Sequence, residues 1–241
     1  MSNAVRNISP ICQKQHTQSY DIIIPAAGVG SRMKSQGAKS LLQIGAGITI
    51  LQLQLQMIQA HTTGHPRIIV VSGFEARKVM NYLPNYVVAV ENEQYETTNV
   101  ARSIGIGLRA STSDRVLIIH GDLVFNKYAL TLPIDNESIL TVDTHGTMSE
   151  DEVGCNTNGS QVFQLGYDIE DKWAQIAFLT GRELELAKSI CWNPNNFQLF
   201  SFEVLNEIMH RGGKFKAYKP YKLKINDIDS KQDLQSIGDI I

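Results

Sequence analysis

The sequence lacks the features of several large protein classes. It contains no apolar run of about 18 residues, which a membrane-spanning helix would need, and no basic-then-apolar leader at its start. Its net charge of −2 and its pI of about 6.3 argue against binding to duplex nucleic acid, because proteins that do so carry a basic face. We therefore expect neither a membrane nor a nucleic-acid partner, and the pattern leaves the oligomeric state open.

Cysteine is also scarce. Cys12, Cys155 and Cys191 are odd in number and widely spaced, and none has a Cys or His at the spacing of a zinc finger. This usage favours a reducing cytoplasm. The 241 residues are 43% hydrophobic and 19% charged, which suffices for a substantial core.

Acidic residues are missing from one long stretch. Residues 22–74 contain no Asp and no Glu, whereas Arg32, Lys34, Lys39 and Arg67 all fall within them. A chain with nearly balanced charge thus has a basic zone near its start, as a polyphosphate site would need.

A glycine turn lies inside this zone. Ile22–Ile24 predict a buried strand, and Pro25 is expected to end it. Gly28 and Gly30 then predict a turn whose backbone N–H groups can converge on an anion.

Two familiar phosphate loops do not fit this turn. A dinucleotide-binding turn needs a third glycine, where Met33 stands, and an acidic residue about twenty positions on, where residues 48–50 are apolar or Thr. A Walker loop needs Gly directly before its Lys, but Ala38 precedes Lys39.

Strands and helices are predicted to alternate as far as residue 119, which indicates parallel βαβ units in a doubly wound, mostly parallel α/β sheet. One helix is expected from a Thr49 cap to His61, although its Leu and Gln residues alternate with the period of a strand. The second half is expected to be a mixed β and helical elaboration, with helices predicted over Lys172–Lys188 and Phe197–His210.

The segment Ala26-Ala27-Gly28-Val29-Gly30-Ser31-Arg32-Met33, followed by Lys39, resembles the MobA-like, GT-A-like nucleotidyltransferases. These enzymes activate sugar phosphates and alcohol phosphates with an NTP. Within the group the chain looks most similar to bacterial choline-phosphate cytidylyltransferases and to sugar-phosphate nucleotidyltransferases. The resemblance covers residues 20–122 and the segment near Asp229. The family usually has Pro where this sequence has Ala38.

The resemblance implies a catalytic Arg32 and a lysine at the α-phosphate, for which Lys39 is favoured and Lys34 is the alternative. It also implies Mg²⁺ held by two carboxylates. Asp122 follows a buried strand, at the edge where open α/β sheets bind ligands. Asp227 and Asp229 point to one face of an extended segment, and the family's ending favours Asp229.

The same resemblance implies a set of nucleotide-binding residues, namely Ala26, Ala27, Gly28, Val29, Gly30, Ser31, Ser72, Gly73, Thr98, Asn99, Ser103 and Gly121. For Thr98 and Asn99, capping of the following helix is an equal alternative. The expected organisation is a polar N-terminal segment (1–19) and one nucleotidyltransferase domain. Its nucleotide-binding part spans 20–125, and its acceptor side with the C-terminal metal segment spans 126–241.

The acceptor is less defined. Tyr167, Trp173 and Trp192 are either a cage for a quaternary ammonium group or ordinary core aromatics, and Glu150–Glu152 are either an attraction for a cation or a solvated loop. We expect transfer of CMP from CTP to a small phosphorylated acceptor such as phosphocholine, with release of pyrophosphate. The alternatives are a sugar-1-phosphate nucleotidyltransferase using UTP, dTTP or GTP, a nucleotide-binding domain without turnover, and, weakest of all, a dinucleotide-binding reductase.

Overall fold

The computed structural model describes residues 19–29, 37–45, 47–145, 148–169, 171–228, 233 and 237–240. Within them, the strands are β1 (Asp21–Ala26), β2 (Arg67–Ser72), β3 (Val87–Glu91), β4 (Arg115–Ile119), β5 (Leu123–Phe125), β6 (Ile139–Asp143), β7 (Gly154–Asn158), β8 (Gln161–Gly166), β9 (Lys172–Thr180), β10 (Phe215–Tyr218) and β11 (Ile225–Asp227). The α-helices are α1 (Ile50–His61), α2 (Ala76–Tyr82), α3 (Val100–Ala110), α4 (Gly181–Trp192) and α5 (Ser201–His210). No helix in this part of the chain is long and apolar enough to span a bilayer.

Nine strands form one sheet in the order β3-β2-β1-β4-β9-β6-β10-β8-β7. The first four are parallel, as the alternating pattern predicted, and β9 runs antiparallel between β4 and β6. A separate two-stranded sheet pairs β5 with β11. This pairing brings the C-terminal segment beside the turn that follows β4.

The central strands β1, β4, β9 and β6 are buried on both faces of the sheet. In β1, Ile23 packs into the cluster that contains α3 and α4, while Ile22 and Ile24 pack on the opposite face with residues of α1. Alternation along a strand sends neighbouring side chains to opposite faces, so the apolar run of β1 serves both layers.

Helix α1 confirms the choice of helix over strand. Thr49 accepts a hydrogen bond from the backbone of Gln52, whose side chain in turn caps Thr49, forming a capping box. The period of two arises because the helix is covered on two sides, with Leu51 and Leu55 in one apolar cluster and Leu53 in another.

Two local predictions were wrong. Pro25 does not end β1, since the strand runs through Ala26. Proline has no N–H to donate, but pairing of β1 with β4 stops at Ile23, so strand pairing on that side needs no hydrogen bond from residue 25. The predicted helix over residues 172–188 is in fact β9 followed by α4, because pairing with β4 and β6 overrides the helix preference of Lys, Ala, Gln and Leu.

Candidate active site

A cleft of about 350 Å³ lies at the carboxyl ends of the parallel strands. This is the edge at which open α/β sheets bind ligands. The first half of the chain contributes Pro25, Ala27, Gly28, Asn92, Tyr95, Thr98, Asn99, Val100, Ser103, His120 and Asp122 to its lining. The second half contributes Asp151, Glu152, Val153, Tyr167, Lys172, Trp173, Gln175, Phe200, Ser201, Phe202 and Asp227.

The start of the glycine turn is packed against the turn after β4. The N–H of Gly121 donates to the carbonyl of Pro25 over 3.1 Å. A Cβ at Gly121 would lie only 2.8 Å from the Cβ of Ala26, so only glycine allows the two turns to come this close. Of the predicted site residues, Gly30, Ser31, Arg32 and Lys34 lie outside the described residues.

An ion pair occupies this junction. The Nζ of Lys39 lies 2.8 Å from the Oδ2 of Asp122, and the two side chains are 12% and 29% exposed. Burial, the largest single effect, would raise the pKa of the Asp122 carboxyl, but the ammonium of Lys39 together with smaller contributions from His120 and hydrogen bonds outweighs it and holds this pKa below its usual value. The carboxylate is therefore charged at neutral pH and available to a cation.

The second oxygen of the Asp122 carboxylate, Oδ1, could bind a metal ion. Oδ1 of Asp122 and Oγ of Ser40 are buried, and neither has a hydrogen-bond partner among the described residues. Both residues line a recess of about 130 Å³ that also touches Gly28 and Lys39. Among the described residues, no three or more His, Cys, Asp or Glu side chains are arranged so that they could hold a metal ion by themselves. Mg²⁺ is often held by only one or two carboxylates together with substrate phosphates, so this donor set fits it.

Gln54 of α1 supports the turn that carries Asp122. Its Nε2 donates to the carbonyls of His120 and Leu123, each over 2.8 Å, and so spans the residues on both sides of the aspartate. Gln54 is 1% exposed and is thus a polar group inside an apolar helix face. Sequence reasoning missed it, although a glutamine at a core position of a helix is itself a signal.

Three of the predicted nucleotide-binding residues, Ser72, Thr98 and Ser103, are hydrogen-bonded to a residue that the sequence analysis did not select. They form what we call the base side of the cleft. Asn92 follows β3 and is buried, and its Nδ2 donates to the hydroxyls of Thr98 and Ser103 over 3.1 Å each. Its own N–H donates to the carbonyl of Ser72 over 2.7 Å. Asn99 caps α3 through Val100, as the alternative interpretation predicted, and it also lines the cleft; its role in nucleotide binding stays a prediction.

The two candidate carboxylates of the C-terminal segment differ in their surroundings. Asp227 accepts hydrogen bonds from Lys172 over 3.4 Å and from Gln175 over 3.3 Å. Lys172 is buried and also pairs with Glu152. Burial would lower the pKa of Lys172, but Asp227 and Glu152 together raise it above its usual value. Asp229 lies outside the described residues, and the choice of Asp229 as metal ligand stays a prediction.

The same segment runs past the turn that holds Asp122. The N–H of Ile228 donates to the carbonyl of Asp122 over 3.1 Å. Strand pairing of Asp227 with Leu123 continues this contact. Two stretches a hundred residues apart in sequence are thus brought together, as a two-carboxylate site requires.

The aromatic residues of the second half separate into two groups. Tyr167 and Trp173 line the cleft, whereas Trp192 does not, and the guanidinium groups of Arg102 and Arg109 lie 4.5 and 4.4 Å from its ring. Trp173 is 3% exposed and packs edge-on against His120, with ring centroids 5.8 Å apart.

Phe200 and Phe202, which the sequence analysis did not select, join Tyr167 at the cleft. Their rings stack with centroids 6.0 Å apart, and Tyr167 packs on Phe202 at 5.5 Å. Asp151 and Glu152 line the same cleft, but Glu150 is not among its lining residues. Aromatic faces beside carboxylates form a wall that suits a cationic group.

Comparison with known proteins agrees with this geometry. Residues 22–133 match the family model of the MobA-like NTP transferase domain. A stretch of 110 residues is 34% identical to the bifunctional protein GlmU of Solibacter usitatus, covering 44% of this chain and 22% of that protein. The chain therefore spans under a quarter of the length of this curated relative.

Three solved structures share the fold over nearly the whole chain. An inositol-1-phosphate CTP transferase from T. maritima has a TM-score of 0.75 at 18% identity, covering 90% of this chain and 94% of that one. A CTP:phosphocholine cytidylyltransferase from Streptococcus pneumoniae also has a TM-score of 0.75, at 16% identity and with 91% and 98% covered. A putative glucose-1-phosphate thymidylyltransferase from Bacillus anthracis has a TM-score of 0.72 at 15% identity, with 91% and 94% covered.

These likenesses confirm the predicted α/β fold, and the match over residues 22–133 agrees with the predicted resemblance to MobA-like NTP transferases. The chain therefore has the fold of nucleotidyltransferases, with a MobA-like NTP transferase domain matched over residues 22–133.

Proposed function

We propose that this protein is a Mg²⁺-dependent nucleotidyltransferase that transfers CMP from CTP to a small phosphorylated acceptor and releases pyrophosphate. The observation that carries the proposal is the Lys39–Asp122 pair at the glycine turn. On one side of the pair lies the Oδ1 of Asp122, which has no hydrogen-bond partner among the described residues, and on the other lies the cleft of about 350 Å³. The recess around the pair and the cleft share Pro25, Gly28 and Asp122, so a triphosphate can lie in the first while its base and the acceptor occupy the second.

The reaction needs little proton transfer. An oxygen of the acceptor phosphate is already ionised when it attacks the α-phosphorus of CTP, and the bond from that phosphorus to the leaving pyrophosphate breaks. Catalysis then rests on alignment and on neutralising charge. Lys39 would meet the α-phosphate, while the glycine turn and Arg32 would hold the pyrophosphate. Asp122, with Asp229, would hold Mg²⁺, which neutralises phosphate charge when bound.

The acceptor wall favours a cationic alcohol phosphate such as phosphocholine over a sugar phosphate. Tyr167, Phe200 and Phe202 offer aromatic faces, and Asp151 and Glu152 add carboxylates at the same cleft. A sugar would instead call for polar side chains aimed at its hydroxyls. The buried ammonium of Lys172, paired with Glu152 and Asp227, offsets only one of the three carboxylates of Asp151, Glu152 and Asp227, so acidic groups still outnumber basic ones there.

The test is a matrix of CTP, UTP, dTTP and GTP against phosphocholine, phosphoethanolamine and glucose-1-phosphate, with pyrophosphate release as the readout. We expect the highest rate with CTP and phosphocholine, and loss of the rate when EDTA removes the metal. A preference for a sugar phosphate would replace the acceptor part of the proposal. Binding of NTPs by calorimetry without turnover on any acceptor would instead indicate a nucleotide-binding domain.

A further inference from the structure

The short segment between β2 and α2 contacts both ends of the glycine loop. The N–H of Phe74 donates to the carbonyl of Ala27, before the loop, over 3.1 Å. The next residue, Glu75, accepts a hydrogen bond through its Oε2 from the N–H of Ala38, after the loop, over 2.9 Å. Glu75 is also the first acidic residue after the acid-free stretch. Two consecutive residues, Phe74 and Glu75, therefore hold Ala27, which follows β1, and Ala38, which precedes Lys39.

The backbone at this contact adopts conformations that need an explanation. Glu75 has φ +51° and ψ +35°, the left-handed region that a residue with a Cβ rarely adopts. Gly37 has φ +85°, and a Cβ there would lie 2.6 Å from the Oε2 of Glu75. Although Glu75 is the N-cap residue of α2, its side chain makes no capping bond to that helix. The carboxylate is directed to the loop instead.

Ala38 is held as a proline would be. Its φ of −61° is the value that a proline ring imposes, and its ψ of 125° is extended. A proline at this position would have no N–H, whereas the N–H of Ala38 is the group that Glu75 accepts. The side chain of Ala38 is 1% exposed and packs in the core, and a turn of 3-10 helix begins at the next residue, Lys39.

We propose that Glu75 is a positioning residue for Lys39, and that its hydrogen bond to Ala38 replaces the restraint of a proline before the phosphate-binding lysine. The contact fixes the backbone one residue before Lys39, whose Nζ lies 2.8 Å from Asp122. The hydrogen bond from the N–H of Ala38 is the main cause that lowers the pKa of Glu75. Burial opposes it with a smaller effect, and the ammonium of Lys78 adds to the lowering. The acceptor is thus ionised at neutral pH. This inference rests on the proposed function, because the role of Lys39 does.

The test compares Glu75→Ala, Ala38→Pro and the double variant, with pyrophosphate release from CTP and phosphocholine and CTP affinity by calorimetry as readouts. We expect Glu75→Ala to lower kcat/KM at least tenfold, because small misplacements of a catalytic group are costly. Ala38→Pro alone should also lose activity, because the ring Cδ of proline takes the place of the amide hydrogen and meets the Oε2 of Glu75, which lies 2.9 Å from the nitrogen. The double variant lacks this clash and proline supplies φ by itself, so its activity should recover to within about threefold of wild type. Glu75→Gln, which keeps an acceptor oxygen, should lose less than Glu75→Ala.

Glu185→Ala is the matched control. Like Glu75, Glu185 is a glutamate paired with a lysine three residues on, at 2.8 Å from Lys188, but it lies on α4 and does not line the cleft. It should leave both readouts unchanged. In a Lys39→Met background, Glu75→Ala should lower activity and CTP affinity no further.

Two outcomes overturn the inference while the proposed function stands. In the first, wild type turns over and Glu75→Ala matches it. In the second, the double variant is as impaired as Glu75→Ala, which would make the loss a general structural one. If wild type binds CTP but has no turnover with any acceptor, the proposed function fails, and CTP affinity in the same four variants still decides whether Glu75 positions Lys39.

Discussion

Replacing Asp122 by Asn separates the catalytic role of its charge from its structural role. The amide oxygen of Asn can still accept the hydrogen bond from Lys39 that now spans 2.8 Å, so only the charge is lost. Lys39 stays charged and keeps a hydrogen bond, so the loss is the attraction within a partly exposed ion pair, and we expect the free energy of unfolding to fall by about 1 kcal/mol. Loss of one preorganised electrostatic contact typically lowers kcat by about 10² to 10³, or about 3–4 kcal/mol in the barrier.

The assay measures pyrophosphate release against Mg²⁺ concentration, together with urea unfolding of the same preparations. We expect Asp122→Asn to need more Mg²⁺ for half its maximal rate and to lose far more activity than stability. Asp171→Asn is the control, because Asp171 also pairs with a lysine, Lys219 at 2.6 Å, but does not line the cleft. Wild-type kcat and wild-type Mg²⁺ dependence in Asp122→Asn would refute the metal assignment.

Further predictions concern residues that the fold places around the site. Gln54→Met removes the donor for the carbonyls of His120 and Leu123, so urea unfolding should show that the free energy of unfolding falls by about 2 kcal/mol, and pyrophosphate release should fall as well. A variant as stable as wild type would show that these hydrogen bonds do not hold the turn. Gly73→Ala would bring a Cβ to 2.7 Å from Tyr95 and 2.9 Å from Ala27, so CTP affinity measured by calorimetry should weaken, and unchanged affinity would contradict the proposed base side. Burial raises the pKa of the Cys155 and Cys191 thiols to about 12, so both stay protonated in the native state up to that pH and should resist a thiol reagent at pH 8. Unfolded thiols ionise near pH 9, so stability should fall as the pH rises from about 9 towards 12, and urea unfolding over that range checks the sign.

The parts of the fold that local pattern predicted are those in which local and tertiary preferences agree. Three of the four parallel strands, β1, β2 and β4, are short apolar runs buried on both faces, and the capping box that begins α1 can be read from the sequence. Strand β9 was misassigned because its residues favour a helix when taken alone. Its conformation depends on β4 and β6, which lie on either side of it in the sheet but far away in the chain.

The candidate site divides in the same way. Lys39 and Asp122 can be predicted from the sequence because each belongs to a local pattern with a chemical meaning. Lys39 lies near a glycine turn in an acid-free stretch, and Asp122 follows a buried strand. Asn92 and Glu75 have no such local pattern, and the core position of Gln54 in α1 does not say what its side chain binds, since each residue acts on a partner that only folding brings near. The same holds for Phe200 and Phe202, whose place beside Tyr167 depends on how α5 packs on β8.

The sequence by itself thus determined the doubly wound fold, the family resemblance and the two charged residues at the glycine turn, because each is encoded within a short stretch of chain. The tertiary structure alone decided which groups surround them. It placed the amide of Gln54 beneath the Asp122 turn, the carboxylate of Glu75 on the N–H of Ala38, and Asp227 beside Lys172. Hydrogen bonds and ion pairs between distant residues depend on distances that only packing sets, and no local pattern contains those distances.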